Sequence, residues 1–292
     1  MNKLTDTFTL SNGVKIPVIG YGTWLEVQNR DNTSKEYVKT ALKAGYRHID
    51  TAFAYGNEDK VGAAIKESGI PREEIFVTTK HWVTEWGYER TVAAVENSLK
   101  LLGLDYIDLY LIHWPYVEKV TKNWKEINAS TWRGFEKMYK EGKIRAIGVS
   151  NFEKKHLEAL FETCEIKPMV NQLEFHPGYI QTENVEFCRR EGILVEAWSP
   201  LGSGAVLKDE TLNAIAKKYN KNVGQLCIKF ALQNNILPIP KSTNEQRIIS
   251  NANVFDFEIS KEDMDIIMNM PLLGFSGSAP DEAPINACFD SI

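Results

Sequence analysis

The sequence lacks the features that mark several protein classes. No stretch of about 18 apolar residues occurs, so no transmembrane helix is expected. The first residues, MNKLTDTFTL, have no apolar signal core, and cytoplasmic residence is the expectation that follows. There is no basic excess: 34 Lys and Arg stand against 39 Asp and Glu, a net charge of −5. That balance argues against general nucleic-acid binding, so any anion site must be local. Cysteines are few, namely Cys164, Cys188, Cys227 and Cys288, and their spacing forms neither a CxxC pair nor a zinc pattern. The first three fall in segments that read as helices, where a buried reduced thiol is ordinary. Cys288 lies in the tail. No linker or low-complexity run interrupts the 292 residues, and one domain over 1–292 is expected.

What is present is an alternation. Asn12-Gly13 between TFTL and VKIPVIG predicts an N-terminal β-hairpin. After IPVIGYG come the β-rich runs YRHID, IFVTTK, YIDLYLIH, IRAIGVS, PMVNQ, ILVEAWS and ILPIP. Amphipathic stretches such as TSKEYVKTALKAG and YERTVAAVENSLKLLG separate them, and several stop at a glycine (Gly45, Gly69, Gly103, Gly142, Gly192). Eight strand–helix units imply a parallel sheet, and in a chain of this length an α/β (β/α)8 TIM barrel. A doubly wound open sheet is the other option, weakened because no GxGxxG turn follows an early strand. The hairpin is placed at the bottom of the barrel. The Gly-, Ser- and Pro-rich segment from about Pro271 reads as a C-terminal loop over the mouth.

Barrel chemistry sits at the C-terminal strand ends. Four polar residues fall there: Asp50 closes the second strand, Tyr55 follows it, Lys80 closes the third and His113 the fourth. A Tyr alone is a weak acid, with a pKa near 10. A desolvated Lys80 needs a counter-ion, and Asp50 on the neighbouring strand is placed to supply one. A protonated Lys80 beside Tyr55 favours tyrosinate and makes the phenol a usable general acid. A neutral His113 can hydrogen-bond the oxygen that receives the proton. His48 is read as structural.

These residues lie within longer motifs. GYRHIDTAFAYGNE, GVSNF, VNQLEFHP and IPKSTNEQRI resemble the signatures of the aldo-keto reductases, in the family's order and from about Thr9 to Pro271. The resemblance implies a (β/α)8 barrel that transfers hydride from NADPH to an aldehyde or ketone. Tyr55 is then the general acid, Lys80 and Asp50 tune it, and His113 orients the carbonyl. It further implies that Ser150, Asn151 and Gln172 hold the nicotinamide carboxamide, with Asp50 bordering the cofactor. Trp198 would stack on the nicotinamide ring, where the family often has Tyr. Ser199, Leu201 and Gly202 resemble the loop over the pyrophosphate. Lys241, Ser242, Thr243 and Arg247 resemble the site for the adenosine 2′-phosphate, and two cations and two hydroxyls near a helix start suit an anion. Asn251 resembles an adenine contact, although Ser250 departs from the Glu common before it. Gly22, Thr23 and Trp24 resemble the first loop beside cofactor and substrate.

Trp24, Trp82, His113 and Trp114 are expected to rim the substrate pocket, with Trp86 or Tyr116 near it. Aromatic walls suit apolar or aromatic aldehydes and sugar-ring faces. The tail carries Phe275 but no obvious anion-binding Arg, which suggests an open pocket and broad carbonyl specificity. A small-molecule carbonyl partner, a monomeric state and no metal complete the expectation. Two alternatives stay open: a cofactor-binding regulatory subunit of the same fold, and a Schiff-base barrel enzyme using Lys80.

Overall fold

The computed structural model describes residues 3–24 and 33–280, so Cys288 and the end of the tail lie outside the described residues. The hairpin forms as its turn chemistry directs. Strand β1 (Thr7–Thr9) pairs antiparallel with β2 (Lys15–Pro17) across Asn12-Gly13. Asn12 Oδ1 accepts from Val14 N at 3.1 Å, and Gly13 takes a positive φ of 86°. Asn12 Nδ2 also donates to the Arg145 carbonyl at 2.9 Å.

Eight parallel strands follow: β3 (Tyr21–Gly22), β4 (His48–Asp50), β5 (Phe76–His81), β6 (Ile107–Ile112), β7 (Ile144–Ser150), β8 (Val170–Glu174), β9 (Leu194–Trp198) and β10 (Leu237–Pro238). Each pairs with the next in sequence. The ends of the series meet: Gly20 N donates to Pro238 O (3.0 Å) and Gly22 N to Pro240 O (3.1 Å). These bonds close the sheet into a barrel, and closure removes the exposed sheet edges. Arg145 is the second residue of β7, at its N-terminal end, so Asn12 fixes the hairpin at the bottom of the barrel.

The helices lie between the strands: α1 (Thr33–Lys43), α2 (Glu58–Ser68), α3 (Tyr88–Leu102), α4 (Trp124–Lys140), α5 (Lys154–Phe161), α6 (Thr182–Arg190), then α7 (Glu210–Lys218) and α8 (Val223–Gln233) in one crossover, with α9 (Glu245–Ala252) and α10 (Lys261–Met268) after β10. The doubled helix between β9 and β10 departs from the simple alternation. Each of its members has its own cap: Asp209 Oδ1 accepts from Leu212 N, and Asn222 forms a capping box with Gln225. Cys188 and Cys227 are buried in α6 and α8, but Cys164 lies just beyond α5 rather than in a helix.

Strands β5 and β6 are buried at all six positions each, because barrel interior and helices cover both faces. A charged residue in such a strand needs a partner. At the bottom Asp108 has two, Arg72 at 2.6 Å and Arg145 at 2.5 Å. At the top Lys80 has Asp50.

Helices α2 and α3 approach closely at Gly62, where an added Cβ would overlap the Leu102 carbonyl. Gly62→Ala is therefore expected to destabilise the fold by about 1–3 kcal/mol, because backbone rather than a side-chain tip must give way. Urea unfolding checks this, and an unchanged midpoint would show that the two helices have room to spare.

Candidate active site

Lys80 is 0% exposed. Its Nζ donates to Asp50 Oδ1 at 2.7 Å and to the Thr51 carbonyl at 2.9 Å, and lies 3.5 Å from the Tyr55 hydroxyl. Parallel pairing of β4 with β5 sets Asp50 opposite Thr78, two residues before Lys80 on the same strand face, so the Lys80 side chain reaches its neighbour strand's end at Asp50. A short 3₁₀ turn, Phe53–Tyr55, carries the phenol back over them, ending on Gly56 in left-handed conformation (φ 63°). Burial alone would lower the Lys80 pKa and is the largest single influence on it. The charge and hydrogen bond of Asp50, with the coulombic pull that Tyr55 and Glu196 exert when ionised, outweigh it and raise the value. The ammonium form is thus held.

His113 leaves the end of β6, with its ring centroid 5.7 Å from that of Tyr55 and 5.1 Å from that of Trp82. Burial first, then the charge of Lys80, pushes its pKa well below the ordinary 6.5. That environment favours the neutral imidazole. His113 Nδ1 is buried without a hydrogen-bond partner among the described residues. His48 is the structural histidine: its Nε2 meets Thr78 Oγ1 at 2.9 Å, and burial lowers its pKa to about 3.

A second polar cluster adjoins the first. Gln172 Nε2 donates to Asp50 Oδ2 (2.9 Å) and to Glu196 Oε2 (2.8 Å). Both amide protons are thereby engaged, and no described residue donates to the side-chain carbonyl oxygen. Asn151, at the left-handed φ of 63°, donates to the His113 carbonyl (2.9 Å) and to Ser150 Oγ (3.1 Å). Its Oδ1 accepts from Trp198 Nε1 at 2.8 Å, which fixes the half-buried indole. Ser150 Oγ donates to the Gln172 carbonyl at 2.9 Å.

The remaining candidates line the adjoining strand ends. After β9, Ser199 and Ser203 are both left-handed (φ 49° and 50°), and Ser199 Oγ accepts from Ser203 N at 2.9 Å. Gly202 N folds back to the Ser199 carbonyl at 2.8 Å. Leu201 and Asn251 meet around Gly224 at the start of α8. After β10, Ser242 is tied down by Tyr21, whose hydroxyl donates to the Ser242 carbonyl at 2.7 Å. Lys241, Thr243 and Arg247 are exposed at the start of α9, capped by Asn244. Gly22 packs against this segment, since a Cβ there would lie 3.6 Å from Lys241 Cβ. Thr23 N donates to the Asp50 carbonyl at 3.0 Å, and Trp24 is 49% exposed. Ser250 Oγ turns back onto its own helix, donating to the Arg247 carbonyl.

Around the mouth, Trp82 contacts His113, and Trp114 is half-buried beside it. Trp86 and Tyr116 behave differently. Their rings pack 3.9 Å apart and line a cleft of about 400 Å³ with Val83, Arg90 and Ile127, none of it formed by Tyr55 or His113. The tail packs across the end of β8: Ser276 N and Oγ both donate to buried Glu174 (2.9 and 2.8 Å), and Phe275 packs on Tyr179.

Two acidic residues escaped the sequence reading. Glu174 follows Gln172 by two residues, and Glu196 precedes Trp198 by two. Side chains two apart share a strand face, so the inward alternation was the signal that would have found them.

Comparison with known proteins agrees with this geometry. The sequence model of the aldo/keto reductase family matches residues 18–270. The chain is 53% identical to a glyoxal reductase of Bacillus subtilis (strain 168), over 96% of this chain and 98% of that protein. An aldo-keto reductase from a Medee basin deep-sea metagenome library superposes with a TM-score of 0.87 at 44% identity, covering 95% of this chain and 100% of that one. A Bombyx mori aldo-keto reductase in complex with NADP superposes at 0.86 with 35% identity, over 98% and 97% of the two chains. With the family's model spanning a closed eight-stranded barrel, this chain belongs to the aldo/keto reductase family and is an NADP(H)-dependent oxidoreductase.

Proposed function

We propose that the protein reduces small aldehydes and ketones to alcohols, with Tyr55 as general acid, Lys80 and Asp50 as the pair that tunes it, and His113 as the group that orients the carbonyl. The observation that carries this reading is the buried Lys80 Nζ, 2.7 Å from Asp50 Oδ1 and 3.5 Å from the Tyr55 hydroxyl.

The residues present fit the cofactor. Gln172 keeps only an acceptor free, which suits a carboxamide N–H, while Ser150 and Asn151 border the same position. Trp198 offers an indole face pinned through Nε1. Left-handed residues at Ser199, Gly202, Ser203 and Gly204 suit the backbone approach of a pyrophosphate, with Leu201 between them. Lys241, Ser242, Thr243 and Arg247 would hold the 2′-phosphate, and Asn251 the adenine, with Gly22, Thr23 and Trp24 along the other side. When bound, NADPH supplies hydride to the carbonyl carbon.

The chain's own part is proton delivery. The Lys80 ammonium stabilises charge on the Tyr55 oxygen, so Tyr55 gives up its proton to the carbonyl oxygen at neutral pH. Asp50 keeps that ammonium charged. Neutral His113 directs a ring nitrogen at the same oxygen without competing as an acid. A Schiff-base role for Lys80 is disfavoured, because that chemistry starts from the neutral amine. Trp24, Trp82 and Trp114 form the rim, and the similarity to a glyoxal reductase supports a small carbonyl substrate. A monomer suffices for this chemistry.

Tyr55→Phe should lower the reduction rate by roughly 10²–10⁴-fold and leave NADPH affinity nearly unchanged. A variant that keeps most of its rate removes Tyr55 from the acid role. Arg247→Ala should weaken NADPH binding by about 10-fold or more, the worth of one charge-assisted hydrogen bond, with little effect on NADH. Equal losses for both cofactors would refute the phosphate assignment. Because His113 is held neutral, kcat should show no limb at the ordinary histidine pKa of about 6.5. A limb there that disappears in His113→Gln contradicts the neutral assignment.

A further inference from the structure

Glu196 is a buried acid that the proposed mechanism does not use. It lies inside the barrel on β9, 0% exposed, on the same face as Trp198. Its Oε2 accepts from Gln172 Nε2 at 2.8 Å, and its Oε1 has no hydrogen-bond partner among the described residues. The same Gln172 nitrogen donates its other proton to Asp50 Oδ2. One amide therefore bridges two carboxyl groups, and among the described residues one cation, Lys80, faces them.

Two consequences follow from elementary chemistry. A buried carboxylate with an unpartnered oxygen is costly, whereas a carboxylic acid places a proton on that oxygen. Both Gln172 protons are also held down by acceptors, which prevents the amide from flipping. A flipped amide would present donors where the carbonyl oxygen now stands.

We propose that Glu196 is a positioning residue of the cofactor site: as a neutral acid it fixes the Gln172 amide with its carbonyl oxygen available to the nicotinamide carboxamide, and it leaves the Lys80–Asp50 pair with one anion per cation. This rests on the reading of Gln172 as a carboxamide contact. The charged groups facing Glu196 are Asp50 from β4 and Lys80 from β5. Strand β8 contributes the uncharged Gln172, and on β10 its register partner is Leu237. Burial first, then the Asp50 charge, raises the Glu196 pKa to about 8. Its proton is thus bound in the fold across a range, from about 4.3 upward, in which the unfolded chain has lost it. Stability must therefore fall as pH rises through that range, with the loss complete above about 8.

Three variants test the assignment in the apoprotein and by NADPH titration. Glu196→Gln keeps an oxygen acceptor for Gln172 and has no proton to lose. It should bind NADPH as the wild type does, and its melting temperature should no longer decline between pH 6 and 8.5, where the wild type's does (roughly the window set by that linkage). Glu196→Leu removes the acceptor and should weaken NADPH about 10-fold, of the order of one hydrogen bond, while remaining folded by circular dichroism. Gln172→Leu is the control. If Gln172→Leu weakens NADPH and Glu196→Leu does not, the positioning role is overturned while the carboxamide reading stands. If neither variant alters NADPH affinity, both fall. A Glu196→Gln melting profile that parallels the wild type's would overturn the neutral-acid assignment.

Discussion

A single buried ion pair sets the terms for the top of this barrel. Bringing Lys80 and Asp50 out of water costs several kcal/mol per ion. Recovering that cost requires close contact and a partner for every remaining donor and acceptor. The structure meets the requirement: Asp50 uses one oxygen for Lys80 and the other for Gln172, and Lys80 adds the Thr51 carbonyl. Strands β4 and β5 are adjacent and parallel, which sets the two side chains on neighbouring strand ends, so the fold itself holds the pair.

From this pair two lines of contact lead outward. One reaches Tyr55 and the carbonyl substrate in the proposed reaction. The other runs through Gln172 to Ser150 and Asn151, and from Asn151 to His113 and Trp198. Asn151 joins His113, on the proposed substrate side, to Trp198, on the proposed cofactor side, and it does so in a left-handed conformation that Asn tolerates better than most residues. The residues proposed to deliver the proton and those proposed to seat the nicotinamide therefore share one hydrogen-bonded framework.

The barrel was legible because its signals are local. Strand runs alternate with amphipathic stretches, Asn12-Gly13 marks the hairpin, and strand-end polarity singles out Asp50, Lys80 and His113. The doubled helix between β9 and β10 was less visible, since only capping residues at Asp209 and Asn222 divide the segment. Glu196 and Glu174 were missed because an acidic residue inside a strand gives no local clue to its neighbours. Its meaning arises from Gln172 on one side and Ser276 on the other. Trp86 and Tyr116 were drawn towards the substrate by proximity in sequence, whereas packing against each other places them in a separate cleft. Long motifs mark the loops proposed to hold the cofactor, whereas contacts across the barrel arise only once the strands close.

The most direct measurement is the ionisation of Tyr55 itself, followed by NMR of protein carrying ¹³Cζ-labelled tyrosine and assigned through the signal lost in Tyr55→Phe. If the Lys80–Asp50 pair tunes this phenol, its resonance titrates below the ordinary tyrosine value of about 10 and moves upward when Lys80 is replaced by Met. A resonance that titrates at or above that value in the intact protein, and stays there in Lys80→Met, would contradict the account.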